Sequence, residues 1–232
     1  MKAINVLGLL VLLGMSSCFD EDPGPRQQDK RNYSVLDFDR IEAGGALVVT
    51  IQYAEGFSIE AEGDRRNLDD LVIYKNGNTL VAGFRQHERR QYETFLTITM
   101  PALYSADFSG ATQATIKGFD AVDRFDISLS GASFVQLNQD ANEIHMNLTG
   151  ASQLGLKGTG AMLDGTISGA SLLSAFDYPA ARAKLVVSGA SNSKVTVADE
   201  LNVTVSGAST VLYRGEPELI IDSSGSSIVR KD

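Results

Sequence analysis

The sequence predicts an all-β, solenoid-like array of short two-strand repeats, preceded by an N-terminal β-rich portion that caps it. A tetrapeptide close to Ser-Gly-Ala-Ser recurs seven times, and its glycines stand 18 to 21 residues apart. A near-constant period of about 19 residues is typical of stacked repeats. Around each glycine, apolar and polar residues alternate. Because this period of two is that of a β-strand, each repeat is predicted to be two strands with one buried face.

The tetrapeptide supplies the most regular positions of the chain. Its glycines are Gly110, Gly131, Gly150, Gly169, Gly189, Gly207 and Gly225. A residue without Cβ permits a sharp bend or a close backbone approach, so we expect each glycine to lie where the coil passes from one strand to the next.

A hydroxyl residue follows each of the first six glycines by two positions and has the parity of the buried face. These residues are Thr112, Ser133, Ser152, Ser171, Ser191 and Ser209. Stacked coils are expected to align them in a ladder in which each hydroxyl bonds to its neighbours. Because the hydroxyl occurs in every repeat and no base stands at a fixed spacing from it, we interpret these residues as structural rather than nucleophilic.

Strands are also predicted in residues 33–101, which lack the tetrapeptide. Apolar or alternating segments cover residues 46–53, 57–61, 71–74, 80–84 and 95–100. The segment Lys75-Asn76-Gly77-Asn78 indicates a hairpin turn. A solenoid needs a cover over its open end, which residues 33–101 are placed to supply.

One polar segment of this portion has two interpretations. Residues 85–93 contain Arg85, His87, Arg89, Arg90 and Tyr92. They form either a binding loop or, as we favour, the exposed tip of a hairpin.

The first residues are typical of a lipoprotein signal. Lys2 precedes an apolar stretch over residues 3–14, which is too short to span a bilayer, and Ser16-Ser17-Cys18 follows. This pattern resembles the lipobox of bacterial lipoproteins, which implies a signal peptide over residues 1–17 and acylation of Cys18. The alternative is an ordinary secretory signal with an incidental cysteine. Residues 18–32 are then the acylated cysteine and a flexible tether, ahead of the portion at 33–101 and the repeat portion at 102–232.

Composition limits the partners. The net charge is −9 with no basic cluster, so nucleic acid is not an expected ligand. The two histidines stand far apart in the sequence, so neither a metal site nor a cofactor is predicted. The acidic run Asp20-Glu21-Asp22 resembles the surface-export signal of Bacteroidetes lipoproteins, or is a plain solvated linker.

The only enzyme hypothesis comes from stacking. Asp126, His145, Asp164 and Lys184 each stand five residues before a glycine, on the outward side of successive repeats. Stacked strands, or rungs, lie ~4.8 Å apart, so the two aspartates are ~10 Å apart on either side of His145. This distance is close to the ~9.5 Å upper limit for the carboxylates of inverting glycosidases. We favour a solvated charged column, because outward carboxylates lack the burial that raises an acid's pKa.

Several segments together carry a family resemblance. They are Phe38-Asp39-Arg40-Ile41, Val48-Val49-Thr50-Ile51, Ile98-Thr99-Met100-Pro101, the Ser-Gly-Ala repeats and Tyr213-Arg214-Gly215-Glu216-Pro217. With them the chain resembles the putative auto-transporter adhesin, head GIN domain family of bacterial surface proteins. The resemblance implies a β-helix-like fold and adhesion, and it carries no catalytic residues.

The function expected from these observations is non-catalytic binding. We expect a lipoprotein anchored to the bacterial outer membrane, on its periplasmic face or at the cell surface. Its ligand would be a glycan, another surface polymer or a surface protein. A polysaccharide-acting β-helical enzyme and a purely structural envelope protein are the alternatives, and the ligand and oligomeric state are left open.

Overall fold

A computed structural model describes residues 24–86 and 88–232, and nearly all of its regular structure is β-strand. The first strands are β1 (Gln28–Tyr33), β2 (Arg40–Ala43), β3 (Leu47–Tyr53) and β4 (Ser58–Asp64), followed by helix α1 (Arg65–Asp70). Then come β5 (Leu71–Asn76), β6 (Thr79–Phe84), β7 (Thr94–Met100), β8 (Ser105–Phe108) and β9 (Gln113–Lys117). The next strands are β10 (Val122–Leu129), β11 (Phe134–Asn138), β12 (Ala141–Leu148), β13 (Gln153–Lys157) and β14 (Gly160–Ile167). The last are β15 (Leu172–Val187), β16 (Asn192–Val205), β17 (Thr210–Arg214), β18 (Glu218–Ser223) and β19 (Ile228–Lys231).

The strands form two layers that enclose one core, which confirms the predicted solenoid. The first layer runs β5, β6, β2, β8, β10, β12, β14, the second halves of β15 and β16, and β18. The second layer runs β1, β4, β7, β3, β9, β11, β13, the first halves of β15 and β16, β17, and β19. Each coil contributes one strand to each layer. Neighbouring coils are therefore parallel, as in a chain that winds repeatedly in one direction.

Stacked glycines allow the close approach of successive coils. Gly131 has φ +71°, and a Cβ placed on it would lie 2.4 Å from the carbonyl oxygen of Gly110. That same carbonyl accepts a hydrogen bond of 2.6 Å from the N–H of Ala132. Only glycine fits this left-handed backbone at such a close approach, which explains why the motif recurs.

The core follows the alternation that the sequence predicts. In β10, Phe125, Ile127 and Leu129 are buried, whereas the residues between them face outward. Tyr178 is buried at the corner of β15, where its hydroxyl donates a 2.9 Å hydrogen bond to the carbonyl of Ala141. Burial raises the pKa of this phenol to about 12.

The N-terminal portion is both coil and cap, so the prediction of a cap alone was incomplete. β2 lies between β6 and β8 in the first layer, and β3 lies between β7 and β9 in the second. Residues 40–53 and 79–100 therefore add coils to the same solenoid without the tetrapeptide. The cover itself is built from β1, β4, β5 and α1, with the antiparallel pairs β1–β4, β4–β7 and β5–β6. The predicted hairpin turn at residues 75–78 is confirmed, because it joins β5 to β6.

The cap changes the predicted end of the tether. The sequence predicts that residues 28–32 belong to the flexible tether. In the structure they form most of β1, which pairs with β4 from Gln28 to Tyr33. β1 lies at the edge of its layer and buries little apolar surface, so its sequence is polar and lacks the apolar alternation that predicts a strand.

A carboxylate anchors the cap where α1 begins. Asp64 is buried and accepts hydrogen bonds from the backbone N–H groups of Arg66 and Gln27, at 3.0 and 2.8 Å. It also accepts a 2.7 Å bond from Nε of Arg66. The Arg66 guanidinium, aided by the two N–H groups, holds the pKa of Asp64 well below its usual range. Asp64 thus caps the helix and joins it to the segment before β1.

Candidate binding face

The outward side of the first layer carries the polar column that the sequence predicts. Parallel pairing places Asp126 beside His145, His145 beside Asp164, and Asp164 beside Lys184. These positions alternate with core residues of the same strands, so the side chains point away from the core. The predicted order along the column is therefore confirmed.

Charged and polar side chains of the column contact one another. The guanidinium of Arg124 donates to Asp126 at 2.8 and 2.9 Å, and this hydrogen bond raises the pKa of Arg124. His145 lies 3.2 Å from Glu143 through Nε2 and 3.8 Å from Asp164 through Nδ1. Arg124 and Glu143 were not among the residues that the sequence predicts for this column. Arg124 stands two residues before Asp126 and Glu143 two residues before His145, on the same outward side. The period-two alternation of the strands could therefore have identified them.

The column is shallow and open to water. It borders a depression of about 280 Å³ whose other lining residues include Ser128, Asn147 and Thr166. The side chains of Asp126 and Asp164 are 45% and 40% exposed, and that of His145 is 29% exposed. Side chains this exposed are open to hydrogen bonding with a polar ligand that approaches from solvent.

The first layer extends the polar face toward the cap through an acidic pair. Asp107 lies beside Glu42 of β2 on one side and Ser128 of β10 on the other. Desolvation, together with the neighbouring Glu42 charge, raises the pKa of Asp107.

The opposite face differs and was missed by the sequence analysis. In the second layer, Phe95, Val48, Gln113 and Phe134 occupy successive rungs of one outward column. The two phenylalanines are 38% and 39% exposed. Phe95 belongs to an N-terminal coil without the tetrapeptide, so only the strand register brings it into the same column as Phe134.

The hydroxyl residues of the tetrapeptide are buried, but the predicted ladder was wrong in its hydrogen bonds. Ser133, Ser152 and Ser171 each donate to the carbonyl three residues earlier, at 2.8 to 2.9 Å. Within the described residues, the pair Ser152–Ser171 makes the one hydroxyl–hydroxyl contact, at 3.3 Å. Ser191 and Ser209 accept weaker bonds of 3.3 and 3.4 Å from backbone N–H groups of the preceding turn. The hydroxyls of Ser133, Ser152 and Ser171 therefore close their own turns, whereas Ser191 and Ser209 bond to the backbone of the preceding one.

The basic segment at residues 85–93 is not a hairpin tip, because β6 and β7 lie in different layers and do not pair. Arg90 lies 3.7 Å above the ring of Phe84 and forms an ion pair with Asp70. The hydroxyl of Tyr92 donates a 3.0 Å bond to the carbonyl of Gly24. The segment is thus folded against the cap; His87 lies outside the described residues, as does Cys18.

Two clefts adjoin this segment. One, of about 510 Å³, lies between Asp64, Asn67 and Tyr92, and the other, of about 700 Å³, lies between Phe84 and the turn at Gly45 and Gly110. The part of the chain that the structure describes has no group of three or more His, Cys, Asp or Glu side chains placed to hold a metal ion. It also has no helix long and apolar enough to cross a membrane.

These features define a two-layered parallel β-solenoid with a capped N-terminal end and a polar outer face on its first layer. The profile of the family described as "Putative auto-transporter adhesin, head GIN domain" matches residues 37–217. The chain therefore belongs to this family, as its sequence motifs indicated. Family membership supports a non-catalytic binding role at the cell surface.

Solved structures share this fold at low sequence identity. A putative adhesin from Bacteroides fragilis superposes with a TM-score of 0.82 at 18% identity, covering 90% of this chain and 98% of that one. A putative adhesin from Parabacteroides distasonis has a TM-score of 0.74 at 16% identity, with coverage of 90% and 98%. A protein described as a putative lipid binding protein, also from Parabacteroides distasonis, has a TM-score of 0.72 at 18% identity, with coverage of 88% and 96%. No curated protein matches the sequence.

Proposed function

We propose that this protein is a cell-envelope lipoprotein that binds glycans or other extended surface polymers without cleaving them. The observation that carries the proposal is the outward face of the first layer. Its rungs present hydroxyl, amide, carboxylate and guanidinium groups at intervals of ~4.8 Å. A polymer lying along the solenoid axis would meet hydrogen-bonding groups on successive rungs.

The chemistry of the central rungs supports a polar ligand. Arg124 and Asn147 supply donors, Asp126 and Asp164 supply acceptors, and His145 lies between the two aspartates. Hydrogen bonds to charged groups contribute about 1.5–3 kcal/mol each, so a few of them hold an extended ligand firmly. The side chains of Arg124 and Asp126 are already held by their ion pair, which lowers the entropic cost of ordering them on binding.

A glycan array probed with residues 24–232 tests this proposal. We expect binding to at least one polysaccharide, without release of shorter chains. The double variant Arg124→Ala/Asn147→Ala should weaken the binding by about tenfold or more, because it removes two donors from the face. The matched control is Phe95→Ala/Phe134→Ala, which truncates side chains on the other face and should leave the affinity unchanged.

Two results would contradict the proposal. Loss of binding in the phenylalanine variant alone would move the site to the second layer. Cleavage of a polysaccharide that disappears in Asp126→Asn/Asp164→Asn would establish the enzyme alternative instead.

The anchoring half of the proposal rests on residues 1–18. Cleavage before Cys18 and acylation would leave nine residues between the lipidated cysteine and the start of β1 at Gln28. Mass spectrometry of protein extracted from membranes should find a diacyl or triacyl cysteine at the mature N-terminus. A soluble product that begins at another residue would refute the lipid anchor while leaving the polymer-binding face untested.

A further inference from the structure

The last coil, β18 and β19, has one open edge in each layer. Within the described residues, β18 pairs only with β16 and β19 pairs only with β17. Each strand therefore presents a row of unpaired backbone N–H and C=O groups along its free side. Such edges pair readily with another strand unless something covers them.

This coil also concentrates exposed apolar side chains. Leu219 and Ile221 stand in register with the buried Leu201 and Val203 of the previous coil, yet they are 41% and 43% exposed. Their side chains have the same inward orientation as the core residues, but no further coil of the described chain lies beside them.

Two outward positions of the same coil are apolar as well. Ile220 and Ile228 are 47% and 49% exposed, where the preceding coil has Asn202 and Thr210. Exposed apolar side chains gathered on one coil are typical of an interaction site.

The two free strands carry opposite charges. β18 contains Glu218 and Asp222, and β19 contains Arg230 and Lys231. Lys231 pairs with Glu216. Glu218, Asp222 and Arg230 make no ion pair in the part of the chain that the structure describes, so they are available to a partner.

The other end of the solenoid does not complement this one. It is closed by the antiparallel strands β1 and β5, and by α1, which disrupt the coil pattern. A head-to-tail stack would have to join the open coil to that cap. A symmetric contact between two copies of the open coil avoids this mismatch and closes both interfaces at once.

We propose that the β18–β19 coil docks against the same coil of a second copy of this chain, with β18 of each copy antiparallel to β19 of the other. The turn at Gly225 makes β18 and β19 run in opposite directions in their two layers. A two-fold axis parallel to the strands then places acidic β18 beside basic β19 in both layers. A two-fold axis perpendicular to the layers would instead oppose β18 to β18, which brings Glu218 and Asp222 against like charges.

The proposed contact completes the core as well as the charge pattern. Leu219 and Ile221 of each copy would be covered by inward residues of the partner copy's β19, and the free backbone edges would pair. This inference goes beyond polymer binding, since a tail-to-tail dimer places two polar faces on one assembly.

Analytical ultracentrifugation of residues 24–232, which contain both layers and the core between them, tests the dimer. We expect a concentration-dependent monomer–dimer equilibrium. Glu218→Lys/Asp222→Lys and, separately, Arg230→Glu should each raise the dimer dissociation constant roughly tenfold or more, because each opposes like charges in both layers.

Combining the reversals makes the test specific. A chain that carries Glu218→Lys, Asp222→Lys and Arg230→Glu together should form the dimer again, because its basic β18 then faces a more acidic β19 of the partner copy. The matched control, Lys184→Glu/Asp199→Lys, reverses exposed charges in interior coils and should leave the dissociation constant unchanged. A chain that stays monomeric at its highest soluble concentration would overturn the proposal. So would a dimer that is insensitive to the reversals, or one that the combined variant fails to restore.

Discussion

Replacing a stacked glycine by alanine tests the physical basis of the repeat, and Gly169→Ala is the informative case. Gly169 has φ +79°, and its Cβ would lie 2.4 Å from the carbonyl oxygen of Gly150 and 3.1 Å from its nitrogen. An ordinary contact is at least 3.4 Å. One turn must therefore move by about 1 Å relative to the next, and their hydrogen bond must lengthen.

The expected cost has two parts. Left-handed backbone costs a non-glycine residue roughly 1–2 kcal/mol. Overpacking between two backbones that are held by flanking strands adds roughly 1–3 kcal/mol. We therefore expect Gly169→Ala to lower the free energy of unfolding by about 2–5 kcal/mol.

Gly77→Ala is the control that separates the two parts. Gly77 has φ +59°, but nothing lies within 4 Å of its Cβ position. This variant should lose only the roughly 1–2 kcal/mol of backbone strain. Urea denaturation followed by circular dichroism measures both. If Gly169→Ala proved no more costly than Gly77→Ala, the close stacking of turns would not be the reason for the repeated glycine.

Three further substitutions test the other structural assignments. Ser171→Ala should lower stability by about 1 kcal/mol by leaving a turn carbonyl without its donor, and an unchanged unfolding midpoint would refute the turn-closing role. Tyr178→Phe should cost about 1–2 kcal/mol by the same measurement, since a buried carbonyl loses its partner. Asp64→Asn should cost about 2 kcal/mol at pH 7. Because the folded state lowers the pKa of Asp64, this contribution is present above the carboxyl's unfolded pKa of about 4 and is lost as the pH falls below it. The difference between wild type and Asp64→Asn should therefore shrink in acid, and a constant difference from pH 7 to pH 3 would contradict the reasoning.

The sequence alone determined the repeat, its strand type and the outward column. The spacing of the glycines and the alternation around them are local properties, and parallel stacking of near-equal repeats leaves little freedom in the register. Asp126, His145 and Asp164 could therefore be placed on adjacent rungs before the structure was known.

The tertiary structure decided the features that depend on contacts between distant segments. Residues 40–53 and 79–100 have no tetrapeptide, so their membership of the solenoid follows only from strand pairing. β2 and β3 pair with β8 and β9, and β6 and β7 pair in turn with β2 and β3. The hydroxyls of Ser133, Ser152 and Ser171 bond within their own turns, because the nearest acceptor depends on backbone geometry that period and parity do not specify. Leu219 and Ile221 have the parity of core residues in the sequence, and only the absence of a further coil beside them in the described chain leaves them exposed.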